Sequence, residues 1–176
     1  QEIDYSIGIP GLSRFRVNVF KQRGNIAAAY RRLPFDAPEL EKLGLPASVI
    51  DLSEKRKGLV LITGATGSGK STTMAALVKR LTEELEGHIL TIEDPIEYLY
   101  PHSKAQVNQR EVGVDTESFA SGLKSALRQD PDVVVVGELR DPESMGAAIS
   151  IAETGHLVFA TMHTNTAAGA VTRMVD

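Results

Sequence analysis

At 176 residues, with 42% hydrophobic and 24% charged residues, the chain has the bulk for one domain, or one domain and part of another, and an ordinary water-soluble composition. A formal net charge of −4 gives no general attraction to nucleic acid. Cysteine is absent, which excludes disulfides, thiolate-bound zinc and cysteine nucleophiles and fits a cytoplasmic protein; no run approaches the roughly 18 apolar residues of a membrane span, and the first residues lack a basic-then-apolar signal pattern.

Residues 1–33 predict about three strands, near 5–9, 15–20 and 27–33, with Gly11 and Gly24 as turn signals between them. Polar and apolar residues alternate in Arg14-Phe15-Arg16-Val17-Asn18-Val19-Phe20, so one face is buried and the other carries two arginines. A sheet this small is marginal alone, and the segment is expected to be the closing part of a domain whose front is missing. Residues 34–57 contain Pro34, Pro38, Pro46 and the charged run Glu54-Lys55-Arg56-Lys57. They predict a linker with one short helix over about 38–44, ended by Gly44. The charged run reads as a solvated approach to the next domain, not a nucleic-acid patch.

From Gly58 onward strands and helices alternate, giving an α/β domain over 58–176. Apolar runs near 59–63, 88–93, 133–136 and 157–162 suit parallel strands buried on both faces. A helix from Thr72 aligns Met74, Leu77, Val78, Leu81 and Leu85 on one face and stops at Gly87. A second, over about 116–129, uses Phe119, Leu123 and Leu127 and ends at Asp130-Pro131. A third has Asp141 as N-cap and Pro142 at its first position, and Gly155 closes it. A fourth is expected at the end of the chain, which reads as truncated on that side.

Residues 64–71, Gly-Ala-Thr-Gly-Ser-Gly-Lys-Ser, form a complete P-loop between an apolar run and a helix. Glycines let backbone N–H groups converge on phosphate oxygens, and the helix start adds partial positive charge. Ala65, Thr66, Gly67, Ser68, Gly69, Lys70, Ser71 and Thr72 are therefore the expected ATP-binding residues, with Lys70 reaching the β- and γ-phosphates and the Ser71 hydroxyl ligating Mg²⁺. The run Val133-Val134-Val135-Val136-Gly137-Glu138 is a buried strand ending in a carboxylate. Parallel strands end at one edge, so Glu138 is delivered to the phosphates as general base or water-positioning residue and Mg²⁺ ligand; the alternative is a surface glutamate. Glu93-Asp94-Pro95-Ile96-Glu97 ends at the same edge. Its three carboxylates repel one another unless a cation compensates, and Mg²⁺ with its waters is the natural partner. Glu97 is the first choice as outer-shell metal or water ligand, against an acidic turn in solvent.

His156 and His163 lie seven residues apart, roughly 20 Å on a straight strand at about 3.3 Å per residue, so they cannot share one phosphate. His163, at the phosphate edge, is a candidate catalytic or γ-phosphate-sensing residue, and His156, at the opposite edge, is equally readable as structural. Their spacing fits no zinc pattern. Arg110, Arg128 and Arg140 read as surface or salt-bridged arginines more readily than as donors to the transition state of a neighbouring subunit. The residues alone thus specify a Mg²⁺-dependent P-loop ATPase with a RecA-like parallel sheet.

The order and spacing of GATGSGKS, TIEDPIE, NQREVGVDT, ALRQDPDVVVVGELRD and AETGHLVFATMHTN resemble the secretion and type IV pilus ATPase superfamily. In family terms these are the Walker A motif, Asp box, Walker B motif with glutamate, and His box. The likeness covers 58–176, and IPGLSRFRVNVFKQRG resembles the end of the family's small N-terminal PAS-like α+β domain. NQREVGVDT and AETGHLVF are most similar to the pilus-retraction ATPases, whereas extension and secretion motors usually carry a four-cysteine insertion. The resemblance implies a RecA-like core, a homohexamer at the cytoplasmic face of the inner membrane, ATP between the two domains, and Arg14 and Arg16 facing nucleotide. The implied partners are the inner-membrane pilus platform protein and the pilus machinery, with no direct nucleic-acid contact. The alternatives are a pilus-extension or type II secretion ATPase, a nucleic-acid translocase, and a weakly active accessory retraction protein.

Overall fold

The computed structural model describes residues 2–175 and holds two sheets. The first is an antiparallel meander of β1 (Ile3–Ile9), β2 (Ser13–Gln22) and β3 (Asn25–Leu33). Arg23 and Gly24, at φ 50° and 82°, form the two-residue connection closed by the Gln22–Asn25 pair, a turn whose twist matches the flanking strands. On one face Val17 is fully buried, flanked in register by Tyr5 and Tyr30. Arg14, Arg16 and Asn18 share the other face by strand alternation.

Between the sheets the chain is more ordered than a linker. A 3₁₀ turn at Leu40–Leu43 ends at Gly44 in the left-handed region, as the sequence predicts. A short helix α1 (Ala47–Ile50) and a second 3₁₀ turn (Asp51–Glu54) then follow where the sequence predicts none. Burial overrides weak local propensity here. Leu40, at 2% exposure, and the partly buried Leu43, Ile50 and Leu52 pack onto the core of the second sheet.

The second sheet is wholly parallel, in the order β4 (Gly58–Thr63), β8 (Leu157–Met162), β7 (Val133–Val136), β5 (His88–Glu93), β6 (Gln106–Glu111). Helices cover both faces. On one, α2 (Lys70–Glu84) buries Met74, Leu77, Val78 and Leu81 against Ile89, Val133, Val135 and Phe159. On the other, α3 (Phe119–Ala126), α4 (Pro142–Glu153) and α5 (Ala167–Val175) place Leu123, Met145, Ala148, Ile151 and Ala170 with Leu90, Ile92, Val134, Val136, Val158 and Ala160. Successive valines of β7 therefore serve opposite layers, as both-face burial requires.

Two expectations need correction. The second helix is shorter than 116–129: Ser118 is its N-cap, and the chain tightens to 3₁₀ at Leu127–Gln129. Leu127 is 44% exposed, so it takes no part in the apolar face. Strand β6 is absent from the sequence reading because its Gln-Val-Asn-Gln-Arg-Glu sequence is polar; at the sheet edge only Val107 is buried. Asp141 caps α4 as its sequence predicts, accepting the Ser144 amide at 2.8 Å.

Candidate functional site

The carboxyl ends of β4, β5, β7 and β8 meet at one edge, where a cleft of about 410 Å³ opens. Thr66, Gly67, Gly69, Lys70, Ser71 and Thr72 line one side. The loop turns on glycines: Gly64 sits at φ 149°, where an added Cβ would stand 2.5 Å from Ser68 Oγ. The Ser68 amide closes the turn on the Ala65 carbonyl at 3.2 Å, so Ala65 and Ser68 shape the loop. Lys70 is buried at the start of α2, and its ammonium meets Gly64 O at 2.9 Å, Ala65 O at 3.0 Å and His163 Nδ1 at 3.4 Å.

Glu138 follows β7 on the opposite wall. The Gly137 amide donates to Ile92 O at 2.8 Å, Thr161 Oγ1 to Gly137 O at 2.5 Å, and the Leu139 amide to Thr161 O at 2.9 Å. Glu138 is thereby fixed on both sides by its neighbours' backbone. Gly137 permits the close approach, because a Cβ there would lie 3.3 Å from Glu93 Cα. The Glu138 carboxylate is 18% exposed and bridges Arg140 Nη2 at 2.8 Å and His163 Nε2 at 3.2 Å. The Arg140 guanidinium is held further above its ordinary value by this bond. Because an ammonium only donates, His163 accepts from Lys70 at Nδ1 and presents Nε2–H to Glu138. A continuous line Lys70–His163–Glu138 crosses the cleft.

His156 lies at the far edge, before β8, with Nδ1 at 3.1 Å from both Thr154 Oγ1 and Ile151 O. The strand separates the two histidines. Arg110 donates to Asp115 O and Arg128 to Lys124 O, so neither joins the cleft wall; Arg140 does, through Glu138. From the small sheet, Arg16 also lines the cleft, and Arg14 Nη1 donates to the Glu97 carbonyl at 3.3 Å.

The acidic loop after β5 differs from the expectation of three mutually repelling carboxylates. Glu93 is partly buried at the strand end and accepts from Thr91 Oγ1 at 2.6 Å and Gln109 Nε2 at 3.1 Å; burial raises its carboxyl above the usual range despite these bonds. Asp94 is exposed and lines the cleft near Arg140. Glu97 faces the cleft with its carboxylate in no side-chain hydrogen bond among the described residues. No group of three His, Cys, Asp or Glu able to hold a metal occurs among the described residues. Ser71, Glu97 and Glu138 on one cleft instead suit a hard cation that takes one or two protein oxygens and completes its shell with phosphate and water. Sequence reasoning missed Gln109, whose contacts depend on β6 lying beside β5, and it read Arg140 as surface or salt-bridged without naming its partner two residues away, Glu138.

Residues 29–176 match the family described as "Type II/IV secretion system protein". The chain is 51% identical over 175 residues to the twitching motility protein of Neisseria gonorrhoeae, covering 99% of this chain and 47% of that one. It is 50% identical over 175 residues to the type IV pilus retraction ATPase PilT of Pseudomonas aeruginosa, covering 99% and 51%. The crystal structure of the pilus retraction motor PilT with bound ADP superimposes with a TM-score of 0.97 at 56% identity, covering 99% of this chain and 51% of that one. The chain thus spans about half the length of the curated relatives it matches. With the P-loop, the strand-end glutamate and the parallel sheet in place, the chain belongs to the type II/IV secretion system protein family.

Proposed function

We propose that this chain binds and hydrolyses ATP with Mg²⁺, as the nucleotide site of a hexameric motor that drives type IV pilus retraction. The observation that carries the reading is the Lys70–His163–Glu138 line across the cleft, which joins the P-loop cation to the strand-end carboxylate. The backbone amides of 65–70 and the start of α2 hold phosphate oxygens, and Lys70 neutralises the β/γ charge. Ser71, Glu97 and Glu138 would hold Mg²⁺, which neutralises charge developing on the phosphates. Glu138 takes the proton of the attacking water, while His163 Nε2–H fixes its carboxylate orientation. Arg16, contributed by the small sheet, supplies positive charge from outside the parallel sheet. Similarity to named retraction motors supports the mechanical output; the ring of six and the cytoplasmic site of action at the inner membrane are what the resemblance of the motifs implies. No helix among the described residues is long and apolar enough to cross a membrane.

The test is mass by light scattering together with ATPase assays over a dilution series of the complete protein. A sixfold mass with specific activity falling as the ring dissociates is expected. A fully active monomer would rule out the shared motor. Deletion of the gene should leave surface pili that no longer retract, whereas loss of pili altogether would point to an extension motor.

A further inference from the structure

The acidic loop carrying Glu97 is shaped from an unexpected direction. Gln109 and Glu111 sit two residues apart on β6, so both side chains leave the same face of this edge strand. The register of β5 and β6 sets Gln109 beside Thr91 and Glu111 beside Glu93. From there Gln109 uses both ends of its amide: Nε2 donates to Glu93 Oε1 at 3.1 Å and to Tyr98 O at 2.8 Å, and Oε1 accepts the Tyr100 amide at 2.9 Å. Glu111 Oε2 accepts the Ile96 amide at 3.0 Å. Residues 96–100 are thus held at both ends by two side chains of one strand, with Glu97 between the anchor points. The same Glu111 oxygen lies 3.5 Å from Ser6 Oγ of β1, and Arg14 of β2 reaches the Glu97 carbonyl, so the small sheet touches this clasp.

We infer that Gln109 and Glu111 are positioning residues: a two-point clasp on β6 that sets Glu97 and Glu93 against the phosphate site. The inference rests on the ATPase reading above. Polar side chains on an edge strand would ordinarily be solvated. Here they replace the regular hydrogen bonds that the loop backbone lacks, and each has one defined task. Gln109 must donate from Nε2 and accept at Oε1 at once, as an amide can; Glu111 needs only to accept. A displacement of about 1 Å at a metal- or water-holding carboxylate costs turnover on the order of 10–10²-fold without removing a binding contact.

The experiment compares Gln109→Met, Glu111→Ala, Glu111→Gln and the control Asn108→Ala in the complete protein. Asn108 is exposed on the opposite face of β6. Steady-state ATPase kinetics, binding of a fluorescent ADP analogue, and amide hydrogen exchange of Ile96 and Tyr100 are read for each. The clasp predicts kcat lowered about tenfold or more in Gln109→Met and Glu111→Ala, with ADP affinity within about twofold. Faster exchange is expected at Tyr100 in the first variant and at Ile96 in the second. Glu111→Gln, which keeps the acceptor, should restore both kcat and protection. Wild-type kcat in Gln109→Met, unchanged exchange at both amides, or failure of Glu111→Gln to rescue overturns it. The exchange readout does not depend on turnover, so a protein lacking ATPase activity altogether would sink the functional reading while the clasp is still judged by protection of the two amides.

Discussion

Replacing Glu138 with glutamine separates chemistry from architecture. The amide keeps the shape, and its Oε1 can still accept from His163 Nε2 or Arg140, now at 3.2 and 2.8 Å. What disappears is the negative charge and the ability to take a proton. The Arg140 partner is 61% exposed, so this ion pair is screened and its loss costs no more than about 1 kcal/mol of stability. That corresponds to a melting shift of about 2–4 °C for a domain of this size. Loss of a positioned general base costs on the order of 10²-fold or more in turnover, about 3 kcal/mol in the barrier. The variant should therefore melt close to the parent and bind a fluorescent ATP analogue with similar affinity, while hydrolysing at about 1% or less of the parent rate. The assay is phosphate release at saturating ATP with Mg²⁺, alongside binding and thermal unfolding of the same preparation. Equal loss of binding and turnover would refute the proton-accepting role and leave Glu138 with metal or structural positioning alone. Full activity here with collapse in Glu97→Gln would exchange the two roles.

Lys70→Ala removes the cation at the P-loop, and ATPase should vanish with weakened nucleotide binding; near-normal turnover in a folded variant contradicts the assignment. His163→Ala breaks the line between Lys70 and Glu138 and should lower kcat with little change in melting, whereas His156→Ala, whose contacts close the end of α4, should act mainly on thermal stability; a His156 variant with normal melting and no activity would overturn this division. Asp141→Ala removes the cap of α4 and should cost about 1 kcal/mol at neutral pH. The Ser144 amide holds the Asp141 carboxyl below its ordinary value of 3.8, so the cap contributes fully above that value and is lost as pH falls through the lowered one; the stability difference between parent and variant should shrink with acidification in unfolding experiments.

The parallel strands are legible because Val133–Val136 and Leu157–Met162 are apolar runs bounded by turn signals, and burial on both faces demands such runs. The P-loop is legible because phosphate binding needs glycines at fixed offsets. Edge strand β6 is not: one exposed face and one face occupied by Gln109 and Glu111 leave only Val107 to signal burial. α1 and its following turn are hidden for the opposite reason, since Ile50 and Leu52 read as isolated residues until the core they cover exists. Strand alternation correctly groups Arg14 with Arg16, yet only the three-dimensional arrangement puts Arg16 on the cleft and Arg14 on the Glu97 carbonyl. For Glu138 and His163, parallel topology alone takes both to the phosphate edge; that they touch one another follows from β7 and β8 being neighbours.

The carboxylates around the cleft show where electrostatic reasoning from sequence needs topology. Read along the chain, Glu93, Asp94 and Glu97 crowd within five residues and call for an external cation. In the fold each meets a different environment. Glu93 turns inward, where Thr91 and Gln109 occupy one oxygen and burial disfavours its charge. Asp94 goes to water, whose dielectric makes its repulsion small. Glu138 enters from another strand and is compensated by Arg140 and by the Nε2–H of His163. Glu97 also lines the cleft, and its carboxylate, like that of Asp94, is in no ion pair among the described residues, while Arg14 reaches only the Glu97 carbonyl. The Glu97 carboxylate, with the exposed Asp94, is thus left without an ion-pair partner in the same cleft as the Ser71 hydroxyl. A carboxylate that already has its partners is suited to hold a water and accept its proton, because its geometry is fixed before substrate arrives. One without partners is suited to a cation that brings its own waters and phosphate ligands. On that ground Glu138 is the proposed proton acceptor, and Glu97 the proposed principal carboxylate for the cation that Ser71 and Glu138 would also touch.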